Sequence, residues 1–266
     1  EDGGGSEGAS FVCYMLFPYL SGGSLRDEIT RRNLLPCSSS DGDTRQISAS
    51  MRQPRPWKQI QILSLFYDVV QAVEVMHEGK VSHRDLKLEN ILLDVENENY
   101  KEDGDKKEEK KEQFYREQYG VKGRPVLMDF GSAGPISIPL SSRSDVLNMT
   151  EEAASHTTIS YRPPELFEGG CRHGYNETLD YGRVDVWSLG CILYALMYGS
   201  SPFEIEFVRT ETSAYATSAA IEEDEVKIVE CTHLRVLGRI PRPRSHTTIG
   251  SRYKEEMMDL VEYMMV

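Results

Sequence analysis

Residues 183–199, RVDVWSLGCILYALMYG, are apolar on almost every face. A helix patterned in this way has to be enclosed by other elements of a core. It is too short to cross a bilayer, which takes about 20 apolar residues, and no other stretch of the chain reaches even about 18. Asp185 sits inside it, and a carboxylate carried into such an interior must be met by hydrogen-bond donors. The rest of the chain therefore has to supply an apolar surround and a set of donors aimed at one buried acid. With 266 residues, 39% hydrophobic and 9% aromatic, there is material for one large domain or two small ones.

A helix over 57–78 can provide part of that surround. Pro56 stands where a helix can begin and Gly79 where one can end. Ile62, Phe66, Val69, Val73 and Met76 recur at spacings of three and four, which gives one apolar face. Residues 11–20, FVCYMLFPYL, are rich in β-formers and predict a strand ending at Pro18, followed by a turn and a short helix in SGGSLRDEI. ILLDV and the start of RPVLMDFGSAG predict two short strands, and YRPPELFEG the opening of a helix. Further helices are expected towards the end, with Met257, Met258, Met264 and Met265 facing the core. Residues 36–56 and 135–160 are polar and read as loops. Residues 96–117 hold nine acids, six bases and one aromatic pair, Phe114 and Tyr115. That composition predicts disorder, with EEKKE reaching at most a transient helix.

The formal net charge is −13, which excludes nucleic-acid binding through a basic face. The five cysteines form no CxxC pair, so reduced thiols are expected rather than a disulfide framework or a zinc ribbon. Residues 1–10, EDGGGSEGAS, lack the basic start and apolar middle of a signal peptide and are expected to be disordered.

The chemistry gathers in VSHRDLKLENILLD, residues 81–94. Asp85 and Asp129 each adjoin a β-like run, so the two carboxylates can face one cleft. Asp129 with Asn90 makes a hard-oxygen pair suited to Mg²⁺, which keeps several waters and binds through one or two carboxylates plus phosphate oxygens. Lys87 adds a mobile point charge for a phosphoryl group. Asp85 is left to accept a hydroxyl proton. A metal site, a cation and a proton acceptor are the minimum for phosphoryl transfer, where positioning and charge neutralisation do nearly everything.

HRDLKLEN matches the protein-kinase pattern H-R-D-L-x-x-x-N, and MDFG, RPPE and DVWSLG follow in order. One tripeptide arises easily by chance; four signatures in sequence do not. The chain resembles the eukaryotic protein kinases over about 11–35, 57–95 and 124–208, and weakly over 245–266. Within them it is most similar to the numb-associated group, and there to its myristoylated and palmitoylated serine/threonine branch, on PVLMDFGS, TTISYRPPELFEG and DVWSLGCILYALMYG. The resemblance implies an α+β, kinase-like fold: chiefly the helical C-lobe, with residues 11–20 as a hinge strand left from the N-lobe sheet. Residues 36–56, 96–123 and 209–244 would be insertions in a partial kinase domain spanning 1–266.

It also implies roles. Asp85 would take or orient the proton of a Ser or Thr hydroxyl, and Lys87 would neutralise the γ-phosphate. Thr158 would bond both and favour Ser/Thr acceptors. Asn90 and Asp129 would hold Mg²⁺. Phe17 would be the gatekeeper beside the adenine of ATP, with Pro18 and Leu20 bonding its edge, Ser24 and Glu89 near the ribose, and Leu92 as the pocket floor. Arg84 would meet an acidic or phosphorylated group of the segment from Asp129 to Glu165, where Ser155, Thr157 and Thr158 are candidate phosphorylation sites. Asp185 would anchor the catalytic loop.

Two departures stand out. Pro163 replaces the usual Ala of the A-P-E signature, a change that suits the extended backbone demanded before Pro164. No Gly-rich loop and no V-A-I-K lysine precede residue 11, so a truncated chain of low activity by itself is expected. The alternative is a kinase-like scaffold without turnover. Small-molecule kinases of the aminoglycoside and choline type are disfavoured by Lys87 and the P-P-E segment. The expected partners are proteins with Ser or Thr acceptors, the expected setting is the cytoplasm, and membrane association would come through a lipidated start that this sequence does not contain.

Overall fold

A computed structural model describes residues 14, 16–35, 53–95, 105–167, 177–210 and 223–266. The structure is built round the helix that the sequence most constrains. Helix α5 (Tyr181–Tyr198) buries nearly all of its residues. On one side it packs against α2 (Gln59–Glu78) and on another against α7 (Glu255–Met264). Gly190 allows the closest approach: a Cβ there would lie 2.7 Å from Met265 Cγ and 3.2 Å from Met264 Cβ. Met257, Met258 and Met265 are buried in this interface, as their sequence pattern predicts. Leu193 is wholly enclosed. Leu193→Ala is expected to cost about 2–5 kcal/mol of unfolding free energy, read from urea denaturation.

Helix α2 begins three residues after Pro56 and buries Ile62, Leu65, Phe66, Val69 and Val73; Met76 is half-buried. Helix α1 (Leu25–Arg32) starts at Ser24, whose hydroxyl accepts from the Asp27 amide while Asp27 accepts from the Ser24 amide, a reciprocal cap.

The described strands pair in four two-stranded antiparallel ribbons. Strand β1 (Val81–Ser82) pairs with β4 (Gly134–Pro135), and β2 (Ile91–Asp94) with β3 (Arg124–Leu127), Ile91 opposite Leu127. Strand β5 (Ser137–Leu140) pairs with β6 (Glu177–Asp180), and β7 (Ile205–Thr210) with β8 (Glu223–Ile228). The first two ribbons frame the HRD loop.

Several expectations are corrected. Residues 16–20 form no strand; Leu16, Phe17 and Tyr19 are largely exposed, because no described strand lies alongside to satisfy their backbone. In the charged segment, α3 (Asp105–Gln118) replaces the expected disorder. Its last turns are tied to α2: Tyr119 stacks on Tyr115 and its hydroxyl donates to Asp68, while Gln61 Nε2 donates to the Arg116 carbonyl at 3.4 Å. The Glu112–Arg116 pair adds an i,i+4 contact at 2.8 Å. Residues 135–160 are not a loop but hold β5 and α4 (Arg143–His156), which opens on a cap between Ser142 and Asp145. YRPPELFEG gives a 3₁₀ turn over Pro164–Leu166, opened by a proline at the first helical position, where an amide N–H would have no intrahelical partner. Residues 209–244 supply β8 and the short helix α6 (His233–Val236). Buried Asp224 pins this region by accepting from the Arg244 amide and Nε and from Thr247 Oγ1. Residues 1–13 and 15, which carry the expected disordered start and the first part of the expected strand, lie outside the described residues, as do 36–52 of the expected loop, 96–104 of the charged segment, 211–222 of the expected insertion and the end of YRPPELFEG beyond Phe167.

Candidate active site

Residues 83–90 run between β1 and β2 across the start of α5. Asp185, wholly enclosed, is the fixed point beneath them. Its Oδ2 accepts from the His83 amide at 2.9 Å and the Ser82 hydroxyl at 2.8 Å, with His77 Nε2 also at 2.8 Å; its Oδ1 accepts from the Arg84 amide at 2.9 Å. These are the donors that a carboxylate in the central helix requires. Arg84 takes left-handed backbone (φ 68°), as does Asp129 (φ 65°). Such conformations persist in non-glycine residues where the surroundings over-determine them.

The loop then turns its polar side chains to one place. Lys87 Nζ donates to Asp85 Oδ2 at 2.6 Å and to Thr158 Oγ1 at 3.0 Å. The Thr158 amide and hydroxyl both donate to Asp85 Oδ1, at 3.1 and 2.9 Å. Asn90 Nδ2 donates to the Asp85 carbonyl at 2.8 Å and reaches Oδ2 at 3.4 Å. Asp85 is thereby fixed by residues 2, 5 and 73 positions away. Arg162 holds the approach to Thr158: its Nε and Nη2 donate to Thr157 Oγ1 at 2.6 Å and to the Thr157 carbonyl at 2.8 Å.

The β2–β3 register brings Asp129 to the same end. The Met128 amide donates to the Asn90 carbonyl at 2.9 Å, so Asp129 follows the residue opposite Asn90. His83, buried, reinforces this: its Nε2 meets the Met128 carbonyl at 3.0 Å and its ring packs 5.4 Å from Phe130. Asp129 is exposed, with Oδ1 turned to the Gly131 amide at 3.4 Å. Asn90, whose amide N–H is spent on Asp85, has its oxygen end for a cation. Among the described residues no cluster of three His, Cys, Asp or Glu could hold a metal. A carboxamide oxygen and a carboxylate are hard donors of the kind that Mg²⁺ takes beside water and phosphate oxygens.

Arg84 meets an acidic group of the following segment. Its guanidinium lies 3.5 Å from Glu152 of α4, donates to the Pro135 carbonyl at 2.8 Å and stacks 3.9 Å over Tyr181. These groups border a cleft of about 310 Å³.

The residues expected round ATP divide. Leu92 is half-buried, and the Leu93 amide donates to the Gly23 carbonyl at 2.9 Å, which seats residues 22–24 against β2. Gly22 is required there: a Cβ would come within 2.3 Å of the Leu93 carbonyl oxygen. Ser24 lies beside Leu92, and its hydroxyl is shared with Asp27 in the cap of α1. Glu89 pairs with Arg26 at 2.8 Å. Phe17 and Pro18 are exposed and Leu20 half-buried, and no hydrogen bond from them joins the loop residues. Sequence reasoning missed Arg26, Arg162 and the buried role of His83. His83 and Arg162 had a signal, their places in the HRD and RPPE motifs, and Arg26 had none.

The protein kinase domain model matches residues 9–266. The chain belongs to the protein kinase family. It is similar to serine/threonine-protein kinase 16 of Rattus norvegicus, 31% identical over 209 residues, which cover 79% of this chain and 52% of that protein. The Homo sapiens protein of the same name is 35% identical over 156 residues, covering 59% of this chain and 41% of that one. Serine/threonine-protein kinase ENV7 of Saccharomyces cerevisiae is 27% identical over 225 residues, covering 74% and 53%. The chain thus spans about half the length of the curated relatives it matches.

Proposed function

We propose that this chain carries the catalytic loop and activation segment of a protein serine/threonine kinase, which moves the γ-phosphoryl group of Mg-ATP to Ser or Thr hydroxyls of proteins. The observation that carries the reading is the mutual contact of Asp85, Lys87 and Thr158 beside Asn90. In this reading Asp85 orients the acceptor hydroxyl and receives its proton as oxygen bonds to phosphorus and ADP leaves. Lys87 offsets the charge of the moving group. Thr158 bonds both Asp85 and Lys87, which also meet each other at 2.6 Å, and so keeps the three side chains in register for an incoming acceptor. Asn90 and Asp129 would hold Mg²⁺, which when bound neutralises phosphate charge. Within the kinases we place the chain in the numb-associated group, on its PVLMDFGS, TTISYRPPELFEG and DVWSLGCILYALMYG segments. The expectation of a cytoplasmic enzyme with a lipid-anchored start belongs to the same reading.

A magnesium titration tests the metal assignment. Asp129→Ala is expected to raise the Mg²⁺ needed for half-maximal transfer by at least about tenfold. An unchanged requirement contradicts it.

A further inference from the structure

Arg26 and Glu89, 63 residues apart, close on each other at the rim of the proposed acceptor site: Arg26 Nε donates to Glu89 Oε1 at 2.8 Å. Glu89 stands in the short turn over Leu88–Asn90, between Lys87 and Asn90. Its side chain remains 44% exposed and that of Arg26 26%, so the pair faces solvent on its outer side. Arg26 is also held from behind. Its Nη2 donates to the Tyr161 hydroxyl at 3.3 Å and its Nη1 to the Gly199 carbonyl at 3.4 Å. Tyr161 is buried in the turn directly after Thr158, and burial pushes its phenol well above the ordinary value, so it stays neutral. Arg26 cannot leave Glu89 without giving up contacts to the activation segment and to the end of α5.

An unpaired carboxylate at this rim would attract Lys or Arg beside an acceptor hydroxyl. A paired one presents no net charge. We propose that Arg26 is a specificity-determining residue: by masking Glu89 it makes the site indifferent to basic residues flanking the acceptor, so that its substrate class is Ser/Thr segments without a basic flank requirement. This rests on the kinase reading above.

The test compares kcat/KM for two Ser peptides, one with Arg flanking the acceptor and one with Gln in those places, at saturating Mg-ATP in the full-length protein. Any effect on the nucleotide cancels in the ratio. The wild-type basic-to-neutral ratio is expected within about threefold of one. Arg26→Gln is expected to raise it about tenfold, Glu89→Gln to lower it several-fold, and the double variant to restore it. Arg26→Lys, which keeps the charge, should hold the wild-type ratio even if the fold loosens. Where Arg26→Gln does not fold, the opposite shift in Glu89→Gln carries the test. The proposal is overturned if the single variants leave the ratio unchanged or move it the same way. It is also overturned if the wild type already favours the basic peptide strongly and loses that preference in Glu89→Gln. If the wild type labels neither peptide, the kinase reading itself falls, a separate outcome from a misread ratio.

Discussion

Asp85→Asn is expected to lower kcat for peptide phosphorylation by a factor of about 10²–10⁴ while leaving the protein folded. The reasoning is steric and chemical at once. An Asn side chain fills the same volume, and its oxygen can still accept from the Thr158 amide and hydroxyl, which lie 3.1 and 2.9 Å from Asp85 Oδ1. It cannot take a proton, and it removes the charge that Lys87 now meets at 2.6 Å. Initial rates with labelled ATP, beside a thermal melt, separate the two effects. A variant that retains more than about a third of wild-type kcat would show that Asp85 is not the proton acceptor.

Asp185→Ala is expected to destabilise the fold by about 4 kcal/mol or more, a large share of a typical 5–15 kcal/mol. Four donors converge on this carboxylate: His77, the Ser82 hydroxyl and the amides of His83 and Arg84. Truncation strands the two amides in a dry interior, where each unmet group costs about 1–3 kcal/mol, while the Ser82 hydroxyl keeps only the Tyr181 carbonyl at 3.0 Å. It also frees the loop that aims Asp85 and Asn90, so activity should fall even where the variant remains folded. Urea denaturation gives the first quantity and initial rates on the folded fraction the second. A loss below about 1 kcal/mol would mean that the loop is held elsewhere.

What the sequence disclosed follows from range. Helix α2 was legible because its buried residues recur along one face, and α5 because its residues are apolar all round; both patterns are local. The need of Asp185 for donors was equally legible, since burial was implied by its neighbours. Helix α4 was hidden by its Ser and Thr content, although the cap at Ser142 and Asp145 and the spacing of Val146, Met149 and Ala153 were present as signals. Helix α3 was hidden because charge alone argues for disorder; contacts of Tyr115 and Tyr119 with each other and with α2 decide otherwise. The reverse holds for residues 16–20, where β-forming side chains make no strand and none of the described strands runs beside them. In the site, spacing within HRDLKLEN placed Asp85, Lys87 and Asn90 together. Thr158 came from the resemblance, and Arg26 had no signal at all, because its partners lie 63, 135 and 173 residues away.

The most direct measurement is the fate of the label when the full-length protein, Mg²⁺ and ATP labelled at the γ-phosphate are given a protein acceptor, followed by acid hydrolysis and separation of the phosphoamino acids. Label on serine and threonine, absent when Mg²⁺ is chelated, is the predicted result. A folded protein that binds Mg-ATP yet leaves serine and threonine unlabelled would contradict it.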